Sequence, residues 1–138
     1  MVDELVDLLA RQTDAIATLE ARLRALELVV AADEHRFVPI ALEELEAAAE
    51  QLAALELTRM LAFDMAGIGI DASPDQLLEH ASARYERASV EVLRVRLGDA
   101  RVATRRLLDA HERASSVVAG ASRDIRSRVE ASRAFASA

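Results

Sequence analysis

Three histidines, 24 carboxylates and one Gly-x-Gly pair are the groups in this chain suited to metal binding, proton transfer or phosphate contact. A di-metal site inside a helical bundle draws on Glu-x-x-His pairs, with the Glu three residues ahead of the His on one helix face. His35, His80 and His111 are preceded at that spacing by Ala32, Leu77 and Leu108, so the pattern fails at all three. No two histidines stand four apart, which removes the helical zinc pattern as well. Glu43, Glu44, Glu46 and Glu50 fall at helical spacing and read as a solvated face. General acid–base catalysis needs carboxylates that converge in a site screened from water, and nothing in the pattern indicates one. Gly67 and Gly69 lack the lysine, the third glycine and the preceding strand of a phosphate loop. With no cysteine, there is no thiolate ligand, no thiol nucleophile and no disulfide frame. The expectation is a protein with no catalytic, cofactor or metal site, which is not an enzyme and acts through its surfaces.

The elements that carry those surfaces are helical. The chain has 138 residues, which suits one domain spanning 1–138. Ala, Leu, Glu and Arg dominate, aromatics are 3%, and alternating runs bounded by hairpin turns are missing, so the fold class is all-α. No apolar run approaches the ~18 residues of a spanning helix. The opening Met1-Val2-Asp3-Glu4 is acidic where a signal peptide is basic, so a cytoplasmic location is expected. All 17 basic residues are arginine. Residues 1–66 carry 14 carboxylates and 5 arginines, a net of −9, whereas residues 67–138 carry 10 and 12, a net of +2. The two halves are expected to face each other. An acidic chain without a dense basic patch is a poor nucleic-acid ligand, because such binding depends on neutralising phosphates.

Leu5, Leu9, Gln12, Ile16, Leu19, Leu23, Leu26 and Val30 alternate in steps of four and three, an a/d seam with one polar member. The spacing predicts a first helix over 2–31. Residues 32–36 make the turn, with Asp33 as N-cap for a second helix over 37–66, in whose first turn Pro39 is harmless. Val38, Ala41, Leu45, Ala48, Leu52, Leu55, Arg59, Ala62 and Ala66 continue the spacing, and a short connection makes the two helices an antiparallel hairpin. Arg59 interrupts that seam and is expected to pair with a carboxylate of the first helix, such as Asp14 or Glu20.

Gly67 suits the left-handed position that ends a helix, and Ser73-Pro74-Asp75-Gln76 is a capping box that starts a short helix over 74–83. From about Arg84 no proline follows. Val90, Leu93, Leu97, Ala100, Thr104, Leu107, His111, Ala114, Val118, Ala121 and Ile125 keep the spacing, which predicts one long helix over 84–133 that Gly98 and Gly120 weaken. Arg101, Arg105, Arg106 and Arg113 lie along it, facing either the acidic hairpin or the acidic groups of a partner.

The lengths do not match. Each hairpin helix is roughly 45 Å long and the last helix roughly 70 Å, at about 1.5 Å per residue. Intramolecular cover then ends near residues 114–118, and the part from about 114 to 138 projects or is mobile. The apolar stripe nevertheless continues. Leu107, Leu108, Val117, Val118, Ala121, Ile125 and Val129 are the candidate partner-binding residues.

The run Leu52-Ala53-Ala54-Leu55-Glu56-Leu57-Thr58-Arg59, then Ala66-Gly67-Ile68, Ser73-Pro74-Asp75-Gln76-Leu77-Leu78 and Arg105-Arg106-Leu107-Leu108, resembles the FlgN family of flagellar export chaperones. The resemblance spans nearly the whole chain. It implies a cytoplasmic type III export chaperone that holds hook-associated junction proteins before export and delivers them to the membrane export apparatus. It further implies that the C-terminal part engages the terminal helical segment of the cargo, with no cofactor and no catalysis. The first rival is a self-associating coiled-coil scaffold in which the same stripe closes a homodimer. The second is an amphipathic lipid-surface binder, for which Phe135 is thin support.

Overall fold

The protein is described by a computed structural model covering residues 2–137. Helices α1 (Val2–Ala31), α2 (Val38–Met65), α3 (Pro74–Arg84) and α4 (Arg87–Ser137) build an all-α bundle, with one turn of 3-10 helix at His35–Phe37 and no strand among the described residues.

The first helix is the hub. α1 packs on both α2 and α4, while α2 and α4 have little direct contact with each other. The core clusters fix the directions. At one end Leu5 and Leu9 of α1 meet Phe63 of α2 and Val90 and Leu93 of α4, with Leu77 and Ala81 of α3 closing the base. At the other end Leu23 meets Ala110 and Ala114, with Leu45 against the same cluster. So α2 runs antiparallel to α1, and α4 runs parallel to it. Serving two neighbours requires a broad apolar stripe, and α1 buries Leu8 and Ala15 beside the expected Leu5, Leu9, Ile16, Leu23 and Leu26.

The chain reversals rest on left-handed residues. Gly67, at φ 75°, donates its N–H to the Asp64 carbonyl, and Ile68 donates to Phe63, the paired bonds of a Schellman ending. Ile68 then packs beside Phe63 against the same cluster. Asp33 does the equivalent at the end of α1, with φ 59° and bonds from Asp33 to Val30 and from Glu34 to Val29. It therefore ends α1 rather than capping α2, whose N-cap is Phe37 with no side-chain bond. Aspartate tolerates the left-handed region better than most residues, and that property outweighs its capping preference here. Pro39 lies in the first turn of α2 as expected. The capping box also forms: the Gln76 N–H donates to Ser73 Oγ at 3.2 Å, and the Ser73 N–H donates to Gln76 Oε1 at 2.8 Å.

Several boundaries differ from the sequence expectation. α2 spans Val38–Met65, one residue shorter at each end. Tyr85, in extended backbone at φ −119° and ψ 163°, separates α3 from α4, so α4 starts at Arg87. No Gly or Pro announces that break. α4 then runs unbroken through Gly98 and Gly120 to Ser137, because the Ala-rich end carries no helix breaker.

The charged halves do not face each other through ion pairs. Among the described residues, only Arg113 and Glu27 approach between them, at 4.0 Å, and both are partly exposed. Packing between α1 and α4 is apolar, and the charge asymmetry stays on the surface.

Gly67 has no atom within 4 Å of where a Cβ would stand, so Gly67→Ala meets a backbone cost alone. It should lower stability by about 1 kcal/mol in urea melts. Leu93, fully buried in the basal cluster, should cost about 2–5 kcal/mol as Leu93→Ala.

Candidate functional site: the projecting face of the last helix

Lengths decide which part of α4 lacks cover. α1 has 30 residues and α4 has 51. The inward residues of α4 run Val90, Leu93, Leu97, Ala100, Ala103, Leu107, Ala110, Ala114, Val117 and Ala121. Beyond Ala121 every described residue is exposed. The projecting part, residues 122–137, is about 24 Å long at ~1.5 Å per residue.

The inward row differs in phase from the expected seam. Thr104, His111 and Val118 are exposed, and Ala103, Ala110 and Val117 take the positions facing α1. Both phases share Leu107, Ala114 and Ala121. Small side chains at 103, 110 and 114 let the two helices approach closely, which the bulkier Thr104 and His111 would prevent. His111 is thus a surface residue.

The seven candidate residues do not form one surface. Leu107 is half-buried and packs between two core clusters, so in the free protein it is occupied by α1 and α2. Val117 and Ala121 are half-buried on the same side. Leu108 is 63% exposed but lies about 100° around the helix from Leu107. Val118, Ile125 and Val129 are exposed by 39%, 53% and 45%. At 100° per residue, Ile125 lies in line with Leu107 and beside the row of Val117 and Ala121, with Val129 about 40° further round, so an exposed apolar strip adjoins the α1-packing face past the end of α1. Arg128, Ser132, Arg133 and Ala136 join Ile125 and Val129 in lining a shallow recess on this face. Those four were missed in the sequence reading, although Ser132 and Ala136 extend the same three- and four-residue spacing.

Two of the grooves on the bundle flank α2. One, between α2 and α4, has Leu9, Gln12 and Ile16 as its floor and Arg59, Phe63, Leu97 and Thr104 in its walls. Arg59 stands 5.3 Å over the Phe63 ring. The expected pairing with Asp14 or Glu20 does not occur, because Asp14 lines the opposite side of α1 and Glu20 binds Arg24 at 2.7 Å. The other groove runs between α1 and α2, as two recesses of about 420 and 380 Å³ that share Arg11 and Thr58. α2 also exposes Ile40, Leu42, Leu57, Leu61 and Met65, because a single neighbour covers only one side of a helix that is apolar on several.

The remaining polar groups are at the surface. His35 Nε2 lies 2.6 Å from Asp33 Oδ1 in the exposed turn. Among the described residues, no group of His, Asp and Glu could hold a metal ion, and no buried side-chain polar atom lacks a partner. Arg101, Arg105 and Arg106 are exposed, and among the described residues no carboxylate pairs with them. No described helix is long and apolar enough to cross a membrane.

No family model, no curated protein and no solved structure matches this chain.

Because residues 122–137 are all exposed, removing them should change the unfolding free energy by no more than neutral surface changes do, about 0.5 kcal/mol. Ending the chain after Leu107 instead removes Ala110 and Ala114 from the core and should lower the midpoint by many degrees. Calorimetry of the two truncations checks both.

Proposed function

We propose that this chain is an export chaperone of the flagellar type III kind, which holds the terminal helical segment of a hook-associated junction protein against the projecting end of α4. One observation carries the reading: where α4 outruns α1, an exposed apolar strip with Ile125 and Val129 adjoins the face that packs on α1. An amphipathic segment laid along that stripe would continue the packing that α1 provides lower down, which is helix-against-helix recognition by anchors at helical spacing. The motif resemblance around Leu52–Arg59 and Ser73–Leu78 supports the same reading and supplies the class of cargo. In this role the chain works in the cytoplasm, keeps its cargo from premature assembly and presents it to the export apparatus. It uses no catalytic group and no cofactor.

The scaffold alternative makes the stripe a permanent dimer seam. Stable two-stranded seams carry Leu, Ile or Val at nearly every a and d position. Here Ile125 and Val129 are followed by Ser132 and Ala136, with Arg128 and Arg133 beside them. That composition favours an exchangeable partner.

Ile125→Asp together with Val129→Asp should weaken binding of a hook-associated terminal segment by about a hundredfold or more, measured by calorimetric titration. Both residues lie beyond the supported part of α4, so the far-UV helical signal and the melting temperature should stay as in the parent. Unchanged binding would remove this face from the function.

A further inference from the structure

The projecting end of α4 and the groove between α1 and α2 are complementary in length and charge. The groove is apolar at its base, with Leu5, Leu8, Ala15, Leu55 and Ala62 along it. Its α1 rim carries Glu4, Asp7 and Asp14 against Arg11, a net of −2. It extends along α1 from Glu4 to Thr18, about 21 Å at ~1.5 Å per residue. The projecting residues 122–137 carry Arg123, Arg126, Arg128 and Arg133 against Asp124 and Glu130, a net of +2. Their length of about 24 Å fits that of the groove. The other groove, between α2 and α4, offers no such match: Arg59 stands in its wall and no carboxylate lines it.

The two surfaces cannot meet within one chain. The groove lies beside Leu5 and Leu8, at the end where α1 begins, and residues 122–137 leave the bundle beyond the end where α1 stops. α4 runs without a break to Ser137, so its end cannot fold back.

We infer that a second copy of this chain is the occupant, with the projecting end of α4 from each copy lying in the α1/α2 groove of the other. A two-fold axis perpendicular to the bundle makes both contacts at once, as an isologous pair requires. The incoming helix runs antiparallel to α1 and places Ile125 over Ala15 and Val129 towards Leu8, with Arg128 against Asp14 and Arg133 against Asp7. Each contact is one helix face wide, so the pair exchanges readily with monomer. The pairing rests on these two surfaces and does not depend on the cargo reading.

Sedimentation velocity of the full chain is the test. The parent should pass from monomer to dimer as concentration rises. Asp7→Arg with Asp14→Arg, and separately Arg128→Glu with Arg133→Glu, should each weaken association about tenfold or more by placing like charges in contact. All four residues are exposed, so circular dichroism of both variants should match the parent. Mixing the two variants in equal amounts should restore the dimer, because each reversed tail then meets a reversed groove. A parent that stays monomeric, variants that associate as the parent does, or a mixture that stays monomeric would each overturn the pairing and leave the groove to another partner. The absence of native cysteine permits a second measurement. Thr58→Cys with Ser132→Cys should give a covalent dimer under mild oxidation, and failure to cross-link would count equally against it. The Asp7→Arg, Asp14→Arg variant alters no residue of the recess around Ile125 and Val129, so its cargo binding should match the parent while its pairing is lost.

Discussion

The burial of α1 between two neighbours is the interaction on which the rest depends. Leu5, Leu9, Ile16 and Leu23 give α4 its packing surface, and Leu8 and Ala15 widen the stripe so that α2 is served as well. Neither α2 nor α4 finds much support from the other. A hub helix of fixed length therefore sets the length of everything packed on it. α2 and the basal α3 fit within that limit, and α4 exceeds it.

The excess is where stability and function separate. Up to Ala121 the apolar face of α4 is paired with α1, and its residues belong to the core. Past that point the same face meets water and adds nothing to the fold. A helix face that is continued without structural need is available for a second helix, whether a cargo segment or another copy of the chain. The charge distribution works in the same direction. The hairpin keeps its carboxylates on the surface, because the α1–α4 contact is apolar and neutralises almost none of them. The arginines of the projecting end are left equally free to meet them across molecules.

The loop between the helical halves makes that excess possible. The left-handed ending at Gly67 and the capping box at Ser73 and Gln76 turn the chain back beside the start of α1. α3 covers the base with Leu77 and Ala81, and α4 begins level with Leu5. Starting there, parallel to α1 and twenty-one residues longer than it, α4 must emerge at the far end.

Much of this was legible in the residues themselves. Regular three- and four-residue spacing of leucines specifies helices, Gly67 specifies a left-handed ending and Ser-Pro-x-Gln specifies a start, because each depends on local sterics and hydrogen bonding. The length mismatch followed from rise per residue alone. What the sequence left open depended on neighbours. The spacing put Thr104, His111 and Val118 on the α4 seam, and close packing against α1 turned Ala103, Ala110 and Val117 inward instead. Leu107 looked like a surface anchor until the core clusters occupied it. Asp33 read as a cap for α2, and the geometry of the turn made it the left-handed ending of α1 instead. Of the two carboxylates expected to pair with Arg59, Asp14 lies on the other side of α1, because spacing along one helix does not say which side of its neighbour it faces. The tertiary structure decided these points because each concerns which of two locally equivalent faces is covered, and cover is supplied by another part of the chain.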